Sequence, residues 1–292
     1  MTAMRGALLV AALLASGCVD ELSTEGRVHK YVINTVTIPD DSDAAGHFGL
    51  LLNSNRAVMN IFGRSMAGKL PLQLGTQTAL EHGVQMQLVE LQATNFDFAV
   101  AAGVTTRYAA FSSTEPCFFD DCGQHLDGDS SFTLEGGESH AQMPGQINSG
   151  TFLSEPGTQS IELSIDGERS FRLPLLSAQL QLKAISEGGI GEGVISGAIP
   201  LSVLSEDFVD EISRAGIRLL AECTFDSGCH CPAGSAAARF LNAFGTADSC
   251  VITEEDIRGS VALASLLHSD VRVSGIDAVS FGIGFTAIHA SY

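Results

Sequence analysis

Apolar residues recur along this chain mainly with a period of two. Residues 31–38 (YVINTVTI) are rich in β-branched side chains and stop at Pro39, which predicts a strand. A second strand is predicted over 84–91. A third is predicted where Phe96, Phe98 and Val100 alternate with Asp97, Ala99 and Ala101. Ile161, Leu163 and Ile165 alternate, Asp166-Gly167 follows, and then Phe171, Leu173 and Leu175 alternate: the strongest hairpin signal in the chain. A two-residue Asp-Gly turn would set odd positions opposite even ones and send the two apolar sets to opposite faces. Parity therefore favours a three-residue loop, Ile165, Asp166 and Gly167, pairing Leu163 with Arg169 and Ile161 with Phe171, with Gly167 at a left-handed position. Ala178, Leu180, Leu182 and Ala184 alternate with Gln179, Gln181 and Lys183 as a half-buried strand. Gly188, Gly189, Gly191 and Gly193 read as a flexible turn into a strand ending at Pro200. Val279, Phe281, Ile283, Phe285 and Ala287 form the last strand, with Gly282 and Gly284 on its other face.

The period changes in blocks. Asp40, Asp41 and Asp43 open a helical region, and residues 57–69 place Val58, Ile61, Phe62 and Met66, with Leu70 beyond, at helical spacing. A short helix is expected from Gly75 or Thr76 to a stop at Gly83. Ser205 is expected to cap a helix with Glu206 and Asp207 in its first turn and Phe208, Ile212, Ala215 and Leu219 as its buried stripe. An Ala-rich helix ends at Phe244 before Gly245. Thr253 with Asp256 reads as a capping box opening a helix to about His268. Residues 112–145 differ in texture, with acids, glycines and few aliphatics. They read as an exposed loop holding at most a short strand at 131–134. Long alternating strands with helices in blocks and no regular βαβ rhythm predict an α+β fold, its sheets antiparallel-rich.

The first 18 residues change the picture of where the chain resides. Arg5 precedes an apolar run over 7–15, too short to span a bilayer, and Ser16-Gly17-Cys18 follow. The stretch Leu14-Ala15-Ser16-Gly17-Cys18 resembles the lipobox of bacterial lipoproteins. That resemblance implies a signal peptide over 1–17, acylation of Cys18, and a lipid-anchored tether over 18–27. A single α+β domain is expected over 28–292, with 201 as the candidate boundary of a helical, disulfide-bearing C-terminal part. Val19, rather than an aspartate, follows the cysteine, which in such lipoproteins favours the outer membrane.

Charge then narrows the partners. The 292 residues carry 15 Lys and Arg against 34 Asp and Glu, a net charge of −19. Such a chain is repelled by phosphate backbones and anionic headgroups, so nucleic acid is not expected as a partner, and membrane contact is expected through the lipid alone. Six cysteines remain beyond Cys18: Cys117, Cys122, Cys223, Cys229, Cys231 and Cys250. An even number in an exported chain reads as disulfides. Cys117 and Cys122 are close enough to bridge locally. Cys229 and Cys231 are too close to bond each other, so one is expected to reach Cys223 and the other Cys250. Zinc held around Cys229-His230-Cys231 is the competing reading, disfavoured because an oxidising compartment removes the thiolates zinc needs.

Catalytic frames are missing from the sequence: there is no G-x-S-x-G elbow, no H-E-x-x-H and no P-loop. Gly189, Gly191 and Gly193 lead into a strand and Pro200, not a helix N-terminus, so they do not form a dinucleotide fingerprint. The eight histidines are scattered. Asp120, Asp121, Asp127 and Asp129 offer hard oxygen ligands for calcium within one loop, at a spacing unlike an EF-hand.

Three stretches, YVINTVTIP with FGLLLNSNRAVMNIFG, then GGIGEGVISGAIP, then ITEEDIRGSVALASLL with VSFGIGFTA, resemble a family of uncharacterised bacterial lipoproteins. Members of that family carry Asp-rich loops like those of EF-hands or dockerins in the first and third regions. This chain has Leu52, Asn53, Asn55 and Ala57 in the first, and Ala247, Ser249 and Cys250 before Ile252 in the third. Only Asn53, Asn55, Glu255 and Asp256 keep ligand chemistry. Three functions are therefore carried forward. The first is a non-catalytic envelope lipoprotein with a binding or structural role, any partner being an envelope protein or small ligand, the second a hydrolase of unrecognised type, and the third a calcium-dependent binding module.

Overall fold

The computed structural model describes residues 26–39, 41–52, 57–66, 68–110, 123–128, 130–135, 142–245 and 249–292. Its first strand, β1 (Arg27–Thr37), ends before Pro39. A short hairpin follows, β2 (Leu50–Leu52) with β3 (Ala57–Met59), then α1 (Ile61–Met66) and α2 (Leu72–Glu81). The meander continues through β4 (Gln87–Ala93), β5 (Val100–Ala110), β6 (Thr133–Leu134), β7 (Met143–Asn148), β8 (Thr151–Ser154), β9 (Gly157–Leu163), β10 (Phe171–Ser186) and β11 (Gly189–Pro200). A helical block comes next: α3 (Leu201–Ser205), α4 (Asp207–Leu220), a small hairpin of β12 (Thr224–Phe225) and β13 (Cys229–His230), α5 (Ala236–Phe244), α6 (Glu254–Gly259) and α7 (Val261–Leu266). The chain returns through β14 (Val271–Val273) to β15 (Ile276–His289).

The fold is α+β and sheet-rich, with every pairing between named strands antiparallel. The sheet is also closed. Strands β1, β4, β5, β7, β8, β10, β11 and β15 follow one another in space in chain order, and β15 pairs back with β1, Tyr31 opposite His289 and Ile33 opposite Ala287. Eight strands enclose a space that side chains alone can fill. The registers put Tyr31, Leu91, Val104, Ile147, Phe152 and Leu182 on one face, continuing to Ile195, Ile283 and Phe285, and all of them are buried. The other face presents Gln92, Gln146, Gln181, Lys183 and Glu192, with Arg107 paired to Glu90 at 2.8 Å. This polarity is the reverse of a membrane-spanning barrel, whose outer belt is apolar. No helix among the described residues is long and apolar enough to cross a membrane.

Local chemistry explains where the strands depart from simple alternation. The apolar set of β10 changes parity, from Leu173 and Leu175 to Ala178, Leu180 and Leu182. Ser177 at φ 50° makes a bulge there, shifting the register between Leu175 and Ala178 so that both sets face inward. The segment is thus one 16-residue strand, not the separate strands its pattern predicts. The hairpin from β9 to β10 keeps the expected parity but not the expected register. Leu163 lies opposite Phe171, and Ile161 opposite Leu173, two residues beyond the partners a three-residue loop would give. The loop is longer because it is held from outside: the Asp166 carboxylate accepts the backbone N–H groups of Glu168 (3.0 Å) and Arg169 (3.2 Å) and pairs with Arg218 of α4. Ser164 and Thr76 of α2 exchange hydrogen bonds across the same loop. Gly167 has φ +82°, the left-handed conformation expected of it.

Other elements differ for comparable reasons. Residues 57–59 pair with β2 instead of joining the predicted helix, which starts only after Asn60. Phe96 and Phe98 lie in a turn built by Asn95, whose side-chain oxygen accepts from Asp97 N (3.2 Å) and Phe98 N (2.9 Å), so β5 begins at Val100. The glycines after 188 belong to β11 rather than to a flexible turn, and helix starts directly after Pro200. Ser205 therefore ends α3, its hydroxyl donating back to Ser202 O (3.1 Å), and does not cap α4. The capping box at Thr253 and Asp256 is present, but its helix breaks at Ser260, which turns extended and accepts from Leu263 N (3.1 Å) to start α7.

All helices attach at one end of the barrel, away from Arg27. Phe62 of α1 packs on Phe281 of β15 (ring centroids 4.5 Å) and on Phe208 of α4 (5.4 Å), and Phe208 packs on Phe171 (5.7 Å), so an aromatic column closes that end. Inside, the Phe285 ring lies over Gly193, where an added Cβ would come within 2.3 Å of it. Gly193→Val should therefore overpack the barrel and lower unfolding stability by about 1–3 kcal/mol, read from urea denaturation. An unchanged midpoint would mean that Phe285 does not occupy that space.

Candidate functional site

An apolar opening lies where the aromatic column meets the end of β1. It is a cavity of about 280 Å³ between the end of β1, helices α1 and α2, and Arg239 of α5. Each wall has a local cause. Pro39 ends the strand and leaves Ile38 at its lip. Asn60 fixes α1 from beneath: its amide donates to Phe48 O (2.7 Å) and Gly282 O (2.9 Å), while its oxygen accepts from Gly63 N (2.9 Å). Gly282 permits this approach, since an added Cβ there would lie 2.7 Å from the Gly49 backbone. The amphipathic α2 then crosses the end of β1. Gln73 bonds the strand twice, accepting from Ile38 N (2.6 Å) and donating to Val36 O (2.8 Å), in the manner of a neighbouring strand. Gln77 accepts from Val36 N (3.4 Å) and donates to Glu81 (3.1 Å).

The polar amides of the lining are thus committed to protein partners. Ile38, Phe62, Met66, Leu70 and Leu72 supply the apolar wall, Leu74 stands 54% exposed at the rim, and Arg239 is the one charged residue among the described residues of the lining. Two wider depressions are polar. One, of about 530 Å³, lies at the Arg27 end of the barrel. The other, of about 560 Å³, lies beside α4, where Arg172 pairs with Glu135 and Glu162 and Arg214 pairs with Asp210 and Glu211.

The cysteine cluster is structural. Cys223 is bonded to Cys231 and Cys229 to Cys250, the outward pairing expected of the two close cysteines. The bridges tie the end of α4 and the β12–β13 hairpin to the segment before α6. The sulfurs of Cys223, Cys229 and Cys231 lie within 4.8 Å of one another because two bridges cross there. As oxidised sulfurs they offer no thiolate to zinc.

Of the calcium candidates, Asp127 closes a short 3₁₀ turn over Gln124–Leu126. Asp120, Asp121 and Asp129 lie outside the described residues, as do Cys18, Cys117, Cys122, Asn53 and Asn55. The Asp256 carboxylate is already used: it accepts from Thr253 N (2.8 Å) and the Thr253 hydroxyl (2.6 Å). Those bonds hold its pKa below the ordinary value. The described histidines with partners are held structurally. His29 packs against Phe96 (4.7 Å), while His125, its pKa lowered by burial, and His268 face the carbonyls of Leu80 (2.9 Å) and Ala264 (2.8 Å).

The cleft was not among the residues singled out from the sequence. Phe62, Met66 and Leu70 carry the spacing of an ordinary core stripe, and nothing local marks Arg239 as their neighbour. No protein-family model, no curated protein and no solved structure matches the chain.

Two outcomes check this description. Thiol titration of the denatured, unreduced protein should find Cys223, Cys229, Cys231 and Cys250 unreactive. Replacing Cys229 and Cys250 together by alanine should cost about 2–4 kcal/mol. Metal-protectable thiols at these positions would contradict the assignment. Secondly, Asp256 should titrate below 3.8 by NMR, and Thr253→Ala should bring it back toward 3.8. Because the folded pKa is depressed, the stabilisation from this cap is present above the unfolded value and is lost as pH falls through the folded one. An Asp256 midpoint at or above 3.8 would remove the cap argument.

Proposed function

We propose that this chain is an exported, lipid-anchored protein of the outer membrane with a non-catalytic binding role, and that the apolar cleft is where it binds. The cleft carries the reading: it is an apolar-walled opening whose amide side chains are occupied, which fits holding a ligand better than converting one. The lipobox-like stretch ending in Cys18 supports the anchor, and the two disulfides fit an oxidising compartment. A tether from Cys18 would join the first strand at Arg27, the barrel end opposite the helices. On this reading the chain is a diverged relative of lipoproteins with EF-hand-like loops, one in which Asp256 has become a helix cap.

Two measurements test it. Labelled palmitate should enter the protein in a bacterial host and be lost in Cys18→Ser; unlabelled wild-type protein would refute the anchor. The apolar probe N-phenyl-1-naphthylamine should brighten on the purified protein. Leu74→Trp, at the exposed rim, should reduce that signal without altering thermal unfolding, whereas equal signals in both proteins would place the binding elsewhere.

A further inference from the structure

We infer that the cleft takes a single-chain carboxylate, a medium-chain fatty acid, with its chain on the apolar wall and its headgroup on Arg239. This inference rests on the reading of the cleft as a binding site and names its ligand class. Three observations carry it. The lining side chains Ile38, Phe62, Met66, Leu70 and Leu72 are apolar and packed into the core, and Leu74, 54% exposed, supplies the apolar rim. The two amides in the lining are spent on the end of β1 and on Glu81, leaving no array of side-chain donors and acceptors for a sugar or a peptide. Among the described residues of the lining, the remaining side-chain functional group is a cation. In a chain with 34 acids against 15 bases, Arg239 makes no ion pair among the described residues.

A guanidinium beside a carboxylate can donate two parallel hydrogen bonds, which ammonium or hydroxyl headgroups cannot accept in the same way. The cavity volume, about 280 Å³, is just below the ~300–1,000 Å³ usual for ligand pockets, so it suits one short chain and not a two-chain lipid. Arg239 is exposed, which places the headgroup at the mouth and the chain inward.

The test is calorimetric titration of the purified chain with decanoate, decanol and decyltrimethylammonium, each below its aggregation concentration. Decanoate should bind about tenfold more tightly than decanol, as a charge-assisted pair implies, and the cationic amphiphile most weakly. Arg239→Gln should erase the preference for decanoate while leaving decanol affinity unchanged, and Arg239→Lys should restore part of it. Because Arg239 is a surface residue, these variants should unfold at the wild-type temperature. Equal binding of decanoate and decanol, or a preference that survives Arg239→Gln, would overturn the ligand class. If decanol still binds and Leu74→Trp excludes it, the cleft remains a binding site and only the carboxylate assignment falls. If none of the three amphiphiles binds, both the assignment and the binding role of the cleft fall.

Discussion

Pairing between the first long strand and the last one is the constraint on which the rest of this structure depends. An open sheet of this length would expose two rows of unpaired backbone groups. Placing β15 beside β1 removes both rows and turns one face of every strand into a shared interior. The interior must then be filled at fixed width, which is why Phe285 sits over Gly193 and the Phe152 ring over Gly145. The free side of β9 is protected differently. Gln85 and Gln87 donate their side-chain amides to Glu162 O (2.7 Å) and Ser160 O (3.3 Å), so that edge too is covered.

Closure also decides where the helices can go. The strands of the ring are connected at the Arg27 end by short turns, such as those at Ser149-Gly150 and Glu187-Gly188, which leave no room for insertions. Both helical blocks leave and return at the opposite end. There they meet the open mouth of the barrel and plug it with Phe62 and Phe208. The cleft follows from this plug: it is the gap remaining between α1 and α2 beside the strand end that Gln73 and Gln77 clasp. Its apolar wall is barrel core seen from outside.

What could be read from the chain was what local chemistry determines. Thr253 and Asp256 form their capping box within four residues, and Gly167 adopts its left-handed turn, so both were legible. The alternation in β10 and β15 was legible as strand, and the α+β class followed from its mixture with helical blocks. The ring was not legible, because Tyr31 opposite His289 is a pairing that no window of sequence contains. Nor was the hairpin register, since Asp166 answers to Arg218 on a distant helix rather than to its own turn. Ser177 hid the continuity of β10, because a bulge that switches parity looks, in one dimension, like a strand ending. The cleft had no signature for a related reason: residues that line an opening and residues that fill a core share the same spacing.

The order in which the ring is made has its own consequence. Strands β1 through β11 can add to one another as they emerge, yet β1 has to wait with one side unsatisfied until the C-terminal strand arrives. Closing such a distant pair costs loop entropy before any contact repays it, which puts this topology among slow folders of high contact order. While it waits, the half-built sheet is an adhesive surface for other copies of itself. A chain that must present its final residues before its first strand is safe gains from being kept unfolded until synthesis is complete. Delivery across a membrane as an extended polymer, with folding on the far side, would impose that delay.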